Sequence, residues 1–551
     1  MAYRETRKSK FRYLISLSLL HIRAIKRQIT KFRFSRLPGW NDVGFHGSNQ
    51  VPTPSLDALA YSGLLLQNYY VSPICTPSRA ALMTGKYPIH TGMQHGVIYG
   101  MEPRGLPLSE TLLPQHLQKL GYRTHLVGKW HLGHYKKEYL PLNRGFESHT
   151  GFWTGRIDLY DHTSMEHDTW GTDFRRGMQV AHDLFGKYAT DIYTDEAIKV
   201  ITAHNKSEPL FLMVAHSAVH SGNPNEFIRA PDSEIERFKH IENYQRRKFA
   251  AVLSKLDQSV GKVVKSLHGA GLLNDTIILF TTDNGGPAAG FNDNAASNYP
   301  LRGVKATLWE GGVRGAGLLW SPLLQARARV ASQLVHIADW LPSLISAAGG
   351  DASLLENIDG LDLWQELSKD QPSKRTSVLH NIDNKDGSAI TMDHWKLHTG
   401  TSYNGAWDSW YGPAGRNGSY DLDAVYGGTV GTILGKMGLM PTREKAGLLR
   451  KAATVQCSSD PEVVCKPLHN PCLFNIRDDP CERVNLASKN PQIVQRLLEE
   501  LRFLNQSVVP PNNKPDNPRG DPKFWGRVFT NFGDYEIGGS HTRSARAIYT
   551  S

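Results

Sequence analysis

Residues 249–286, FAAVLSKLDQSVGKVVKSLHGAGLLNDTIILFTTDNGG, hold a helix signal, a strand signal and a polar cluster in direct succession. Apolar side chains recur at helical spacing in the first half, at Phe249, Val252, Leu256, Val260, Val263, Val264 and Leu267. Gly269 and Gly271 end that pattern, and the apolar run Thr276–Thr282 follows. A helix leading into a fully apolar strand is typical of an α/β sheet covered on both faces.

The same alternation extends through the chain to about residue 379. The patterns predict helices at 54–62 and 109–120, the second with Ser109 as its N-cap, and strands at 123–127 and 210–215. We therefore expect an α/β domain at residues 39–379, preceded by a separate segment at 1–38.

Beyond residue 379 the composition changes. Residues 400–435 are rich in Gly, Tyr, Asn and Asp and are predicted to form long loops. Short strand signals lie at 395–398 and 472–476, and an amphipathic helix signal lies at 492–504. We expect a smaller α+β domain at 380–551, with a loop-rich insertion and an extended tail.

The net charge of +11 on the 551-residue chain is concentrated in one segment. Residues 1–38 hold eleven Lys and Arg and a single acid, which leaves 52 basic and 51 acidic residues in the remaining 513. A nearly neutral body does not indicate a nucleic-acid partner, and a charge run is usually a solvated tail. The composition, 40% hydrophobic and 21% charged, fits a globular protein.

The basic segment contains one apolar stretch, Tyr13–Leu20. Eight residues are too few to span a membrane, which needs about 20 apolar residues. A signal peptide also has a basic start and a short apolar core, but this stretch runs into Arg23, Lys26 and Arg27 without a small-residue cleavage site. We expect no transmembrane span, and the segment does not meet the pattern of a signal peptide.

Five cysteines divide into a lone Cys75 and a C-terminal group, Cys457, Cys465, Cys472 and Cys481. Four cysteines allow three disulfide pairings, of which we favour the local pairs Cys457–Cys465 and Cys472–Cys481. Four sequons permit glycosylation of a secreted protein, at Asn205, Asn274, Asn417 and Asn505.

Polar residues follow three of the predicted strands at the point where each strand ends. In open α/β sheets, sites form beyond the carboxyl ends of the strands. One such residue carries little weight, but three strand ends with the same feature favour a site: Lys129 and His131, then His216 and His220, then Asp283 and Asn284.

The sequence Cys75-Thr-Pro-Ser-Arg79 is the sharpest of the motifs. Pro77 favours the first turn of a helix, so Cys75 is predicted near a helix N-terminus with Thr76 as a possible cap. That terminus favours an anion, and the guanidinium of Arg79 suits a tetrahedral oxyanion. Lys305 adds a further cation, so the residues predict a hydrolase that cleaves sulfate or phosphate esters.

Several motifs together resemble those of the type I sulfatases. They are Cys75–Pro88, Gly128–Gly133, Thr282–Gly286, Pro300–Gly303, Trp309–Gly315 and Leu379–Asp383. The resemblance runs from Gly39 to at least Asn485, and the later motifs look most like arylsulfatase B and its relatives, arylsulfatases I and J. It implies an alkaline-phosphatase-like sulfatase fold, a large mixed sheet flanked by helices, with residues 39–379 as the catalytic domain.

The resemblance also implies a maturation step. Cys75 would be oxidised to formylglycine in the secretory pathway by the formylglycine-generating enzyme, which reads Pro77 and Arg79. One hydroxyl of the hydrated aldehyde then attacks sulfur, and a covalent intermediate divides the reaction into two easier steps. The implied substrate is a sulfated sugar or glycosaminoglycan, such as N-acetylgalactosamine 4-sulfate, and the implied location is lysosomal or secreted.

Site roles follow from the same resemblance. Arg79 and Lys129 would hold the formylglycine, and His131 would contact it and assist the elimination of sulfate. The sulfate ester would be bound, and its leaving oxygen protonated, by His220 and Lys305. One Ca²⁺ would be bound by Asp283, Asn284 and the residue formed from Cys75, with Asp283 also helping to deprotonate the hydrated aldehyde.

The chain departs from the family at one place. Two adjacent Asp residues that complete the calcium site in sulfatases correspond to Arg36 and Leu37, and the apolar strand before them is replaced by basic sequence. The match resumes at Gly39, which we interpret as a substituted first segment. We expect the sheet to lose a buried strand, and the chain to bind Ca²⁺ poorly and be weakly active or inactive.

Two alternatives to an active sulfatase remain open. One is a non-catalytic sulfatase relative, because the paired Asp ligands are missing. The other is phosphoester hydrolysis on the same fold, which is disfavoured because such enzymes use a two-metal site with a Ser or Thr nucleophile, whereas Cys75 with its full motif suits sulfatases.

Overall fold

The structure is a computed structural model that describes residues 29–31 and 38–535. The strands are β1 Ile29–Lys31, β2 Leu64–Tyr70, β3 Arg123–Lys129, β4 Ser148–Phe152, β5 Thr163–Glu166, β6 Thr169–Thr172, β7 Arg175–Arg176, β8 Gln179–Val180, β9 Leu210–Ala215, β10 Ile278–Thr281, β11 Gly317–Trp320, β12 Arg329–His336, β13 Ser377–Asp383, β14 Gly387–Met392, β15 Trp395–Thr399 and β16 Cys472–Asn475.

The α-helices in the described residues are α1 Pro54–Ser62, α2 Cys75–Thr84, α3 Leu113–Lys119, α4 Ala189–Ala203, α5 Asp232–Glu236, α6 Tyr244–Gly269, α7 Glu310–Val313, α8 Trp340–Ala347, α9 Trp364–Lys369, α10 Leu422–Gly427, α11 Thr429–Lys436, α12 Arg443–Ala453 and α13 Pro491–Asn505. In that part of the chain, none of these helices is long and apolar enough to cross a membrane. The predictions about Tyr13–Leu20, Arg36 and Leu37 lie outside the described residues.

Two mixed sheets form the larger part of the fold. The first has the order β1-β9-β3-β4-β7-β8, with β1, β9, β3 and β4 parallel. The second has the order β10-β11-β2-β12, in which β12 and β2 are parallel. Strand β1 also lies beside β10, so the two sheets continue one another at this point.

Strand β9 shows why the apolar runs have no polar face. Its residues Leu210, Leu212 and Val214 join the core that includes α1, α4 and α6. Phe211 and Met213 join the opposite core, which includes α2, α3 and α8. Helices therefore cover both faces of the sheet, as the continuous apolar sequence predicts.

The Leu212→Ala variant should be less stable, because Leu212 has no solvent exposure and the shorter side chain leaves a cavity in the core. We expect the free energy of unfolding to fall by about 2–5 kcal/mol. Chemical denaturation of both proteins measures the change. The control is Leu448→Ala on α12, where Leu448 is 57% exposed, and its change should stay within about 0.5 kcal/mol. Equal losses in the two variants would contradict the two-faced core.

The helix predicted at 249–267 is α6, and it begins earlier than the apolar spacing indicates. The side chain of Asn243 accepts a hydrogen bond from the backbone N–H of Arg246 at 2.8 Å and so caps the first turn. The helix predicted at 109–120 is shorter than expected, because α3 starts at Leu113. Pro114 is tolerated only in the first turn of a helix, so Ser109 lies before the helix and is not its N-cap.

Strand β1 corrects one expectation. The sequence predicts that the sheet lacks its first strand, but Ile29–Lys31 pairs in parallel with β9, with Ile29 opposite Phe211. Backbone pairing requires no particular side chain, and a β-branched pair such as Ile29 and Thr30 favours strand conformation.

The C-terminal region forms an antiparallel sheet of order β13-β14-β15-β16, packed against α13. Residues 400–435 are less loop-like than predicted, because they contain α10 and α11. Asp421 caps α10 by accepting from the N–H of Ala424 at 2.9 Å. The division of the chain at residues 38/39 and 379/380 stays a proposal; the first strand of the C-terminal sheet, β13, begins at Ser377.

The local disulfide pairing predicted from the sequence is wrong. The bonds join Cys457 to Cys481 and Cys465 to Cys472. Val463 forms a bridge with Val484, so the segment between the first two cysteines runs alongside the segment after Cys481. That course brings cysteines 24 residues apart to a Cα–Cα distance of 5.4 Å.

Candidate active site

The site begins at the first residue of α2. Cys75 has no solvent exposure and takes part in neither of the two disulfides. Ile74 is the N-cap, and all ten residues of the helix are buried. The Cys75 thiol donates to the amide oxygen of Asn284 over 3.5 Å. A buried thiol at a helix N-terminus lies where backbone N–H groups favour an anion.

Arg79 lies one turn further along α2 and is 1% exposed. Its Nε is 3.3 Å from the carboxylate of Asp283, and its Nη1 donates to the backbone carbonyls of Lys129 at 2.8 Å and Trp130 at 3.2 Å. One guanidinium therefore ties the helix to the ends of two strands, β3 and β10.

Lys129 is the last residue of β3, and His131 lies two residues beyond it. The ammonium of Lys129 donates to the carbonyl of Gly155 at 2.6 Å. The Nε2 of His131 donates to the carbonyl of Ile98 at 2.9 Å, since a carbonyl only accepts. His131 has a φ of 61°, a left-handed conformation that is uncommon for this residue type and characteristic of strained functional turns.

Asp283 and Asn284 follow β10 in a turn that only glycine can complete. A Cβ on Gly285 would lie 1.7 Å from the carbonyl oxygen of Gly311. The Gly285 and Gly311 backbones therefore meet in direct contact, which holds the two side chains ahead of them against α2.

His220 and Lys305 form a second group. The Lys305 ammonium donates to Nε2 of His220 at 3.3 Å, while Nδ1 of His220 donates to the carbonyl of Ser221. The Lys305 N–H donates to the carbonyl of Gly286 at 3.1 Å, in the turn after Asn284. All eight residues that the sequence predicts for the site are thus brought to one region of the fold.

The chain is similar in sequence to a family of known proteins. Residues 38–350 match the model of the Sulfatase family. The chain belongs to the sulfatase family. It is 39% identical over 513 residues to arylsulfatase J of Mus musculus, covering 89% of this chain and 78% of that one. It is 31% identical over 395 residues to N-acetylgalactosamine-6-sulfatase of Homo sapiens, covering 67% of this chain and 71% of that one.

A solved structure shares the fold of this sulfatase-family chain. The crystal structure of Ps i-CgsB superposes with a TM-score of 0.69 at 24% identity, and covers 88% of this chain and 94% of that chain. The α/β sulfatase fold expected from the resemblance is therefore confirmed.

Thr76 is not the helix cap, which corrects the prediction. It is the second residue of α2, and its hydroxyl donates to the carbonyl of His131 at 3.3 Å and accepts from the N–H of Ile98 at 3.2 Å. Thr76 thus fixes the turn that carries His131. Sequence reasoning also missed the carbonyls of Ile98 and Gly155, because a backbone acceptor leaves no residue-type signal.

His216 is close in sequence to His220 but contacts core residues instead of the candidate site. It has no solvent exposure, its Nε2 meets the hydroxyl of Ser259 at 3.1 Å, and its ring packs edge-on against Tyr193. Burial lowers the pKa of His216 to about 3, so the ring is neutral in the folded protein. We infer that it is a core residue.

His216 should make the fold less stable in acid. Its pKa is lower in the folded than in the unfolded chain, so the unfolded chain binds the extra proton once the pH falls below about 6.5. Between pH 7 and pH 5 we expect this one group to remove about 2 kcal/mol of stability. Denaturant unfolding at both values should show a smaller loss for His216→Gln, whereas the control His268→Gln, on an exposed residue of α6, should keep the full loss.

The described residues do not complete a calcium site. Asp283 and Asn284 offer side-chain oxygens, but Ca²⁺ takes six to eight, usually with several carboxylates. Asp42 accepts from Arg246 at 2.5 Å and from the N–H groups of Gly39 and Ser297, so it is committed to a structural role. The two family positions that would add carboxylates hold Arg36 and Leu37, outside the described residues.

Restoring those carboxylates should restore calcium binding. We expect the R36D/L37D variant to bind Ca²⁺ about 10–100-fold more tightly than the parent chain, or better, as measured by isothermal titration calorimetry. Loss of a group that only orients a metal ligand already weakens metal binding by that factor, and these two carboxylates would contact the ion directly. The R23D/I25D variant carries the same change in charge elsewhere in the basic segment and should match the parent. Tight binding by the unaltered chain would refute this expectation.

Proposed function

We propose that this chain is a sulfuric ester hydrolase that removes sulfate from sulfated sugars, with formylglycine derived from Cys75 as the attacking group. The observation that carries the proposal is the buried Cys75 at the N-terminus of α2, which lies outside both disulfides, donates to Asn284 and precedes Arg79 by one helical turn. Membership in a family of sulfate ester hydrolases supports the same reaction class.

Cationic groups supply the affinity for sulfate. Lys129 and Lys305 are 1% and 8% exposed, and a charge held in such an enclosed site acts on an anion with little screening by water. The first turn of α2 adds backbone N–H groups at the position of Cys75. The tetrahedral, anionic sulfate group of the ester is well matched to this set.

Proton transfer is assigned to the histidines. His220 donates from Nδ1 to the Ser221 carbonyl, which leaves Nε2 facing the Lys305 ammonium. A proton held between these two nitrogens is positioned for the leaving oxygen of the ester. His131 donates from Nε2 to the carbonyl of Ile98, and its own carbonyl accepts from Thr76, the residue after Cys75; we assign it to the elimination of sulfate. Formylglycine supplies a hydrated aldehyde whose oxygen attacks sulfur.

We further propose N-acetylgalactosamine 4-sulfate as the substrate class. Similarity to N-acetylgalactosamine-6-sulfatase supports a sulfated hexosamine. The formylglycine-generating enzyme is the proposed partner during maturation. Two disulfides in the described residues suit an oxidising compartment, which supports a secreted or lysosomal location.

In the R36D/L37D background, the His220→Ala change should remove most of the turnover of a sulfated N-acetylgalactosamine. We expect kcat to fall by about 10²–10⁴-fold, because a positioned acid contributes that much. Release of inorganic sulfate measures the rate. The control His268→Ala alters an exposed histidine of α6 and should retain full activity.

Peptide mass spectrometry across residue 75 separates this proposal from a non-catalytic relative. Formylglycine in protein from the native source, together with activity that Cys75→Ala abolishes, supports the hydrolase. A persistent thiol at Cys75, with no sulfate release by either the parent or the R36D/L37D variant, would favour the non-catalytic alternative.

A further inference from the structure

Three aromatic rings form a cluster outside the eight site residues. Trp407 stacks on Phe291, with ring centroids 4.6 Å apart. Trp407 also contacts Tyr403, with ring centroids 4.1 Å apart. Tyr403 nevertheless remains 58% exposed. A large aromatic side chain that is supported by a second ring and still open to solvent presents a ready surface for a ligand.

The Tyr403 side of this cluster is joined to the segment that carries Lys305. Ser402 precedes Tyr403, is 2% exposed, and donates from its hydroxyl to the carbonyl of Ala306 at 2.7 Å. Ala306 directly follows Lys305. The position of Tyr403 is therefore fixed relative to the ammonium that binds the ester.

The Phe291 side is joined to the segment that carries His220. The hydroxyl of Ser221 donates to the carbonyl of Asn292 at 2.8 Å. Because Ser221 follows His220 and Asn292 follows Phe291, the cluster is fixed at both ends to the two residues assigned to the leaving oxygen.

The backbone supports a functional reading of the cluster. Tyr403 and Asn404 have φ values of 53° and 52°, and Asn292 and Asp293 have 54° and 51°. For a bulky residue such as Tyr403 this left-handed conformation is unfavourable, and such strain concentrates at ligand sites.

Polar groups lie close to Tyr403. Burial, the carboxylate of Asp386 and the phenol of Tyr99 all raise the pKa of Tyr403, so these groups share one region. Tyr99 directly follows Ile98, the residue that holds His131. The carboxylate of Asp386 is thus near enough to Tyr403 to act on its phenol.

We propose that Tyr403, supported by Trp407 and Phe291, is the stacking platform for the pyranose ring that bears the sulfate ester. The C–H face of a sugar suits the negative face of an aromatic ring, and Asp386 accepts a hydrogen bond from a ring hydroxyl. Hydrogen bonds from Ser402 and Ser221 join the platform to the segments that carry Lys305 and His220, so the sugar that stacks there is the one whose oxygen is released from the sulfate ester. This inference rests on the proposed function.

Equilibrium binding tests the platform without turnover. A sulfated N-acetylgalactosamine disaccharide and inorganic sulfate are each titrated into Cys75→Ala by calorimetry. Adding Tyr403→Ala should weaken disaccharide binding about tenfold and leave sulfate binding unchanged. Tyr403→Phe keeps the ring and should bind as the Cys75→Ala protein does. Tyr244→Ala is the matched control, because Tyr244 on α6 is 55% exposed.

The outcomes distinguish the platform from the proposed function. Equal disaccharide affinity with and without Tyr403→Ala overturns the platform and leaves the hydrolase intact. Parallel loss of sulfate and disaccharide affinity also overturns it, since the effect is then general damage to the site. If Cys75→Ala binds neither ligand, and neither the parent chain nor the R36D/L37D variant releases sulfate, the proposed function fails and the platform fails with it.

Discussion

The contact on which the site depends is the buried guanidinium of Arg79. It reaches the carboxylate of Asp283 and two carbonyls at the end of β3, and each of these partners lies in a place with almost no water. Removing one partner of a buried charge costs far more than the pair contributes, so none of the three segments is free to move alone. The same guanidinium therefore fixes the position of the helix that carries Cys75 and joins that helix to the ends of β3 and β10.

A second buried ionic group supports the site from the C-terminal sheet. The Lys396 ammonium on β15 lies 2.9 Å from both Glu310 and Glu482. Glu310 opens α7, whose Gly311 backbone contacts Gly285 in the turn of Asp283 and Asn284. Burial raises the pKa of Glu482 to about 7, with Glu310 adding to the shift. The smaller sheet thus holds the active-site turn in place through one short helix.

The sequence was informative where a residue's type determines its environment. The run Leu210–Ala215 is a strand with those bounds, and its six consecutive apolar side chains fit a sheet that is covered by helices on both faces. The eight site residues could be named because chemistry and motif order single them out. Which carbonyl receives the Lys129 ammonium, and which cysteine pairs with Cys457, depends on how distant segments meet, and local sequence does not encode that. The same limit hid Thr76, whose hydroxyl could have served either as a cap or as a tertiary contact.

The complete burial of α2 has a consequence for the order of events in biogenesis. Cys75, Pro77 and Arg79 are inaccessible once the helix has packed between the sheet and α8. Any macromolecule that chemically converts Cys75 must therefore reach the chain while this segment is still extended. A chain that folds before Cys75 is modified keeps its thiol. The fraction of chains converted therefore depends on the rate of modification relative to the rate of folding.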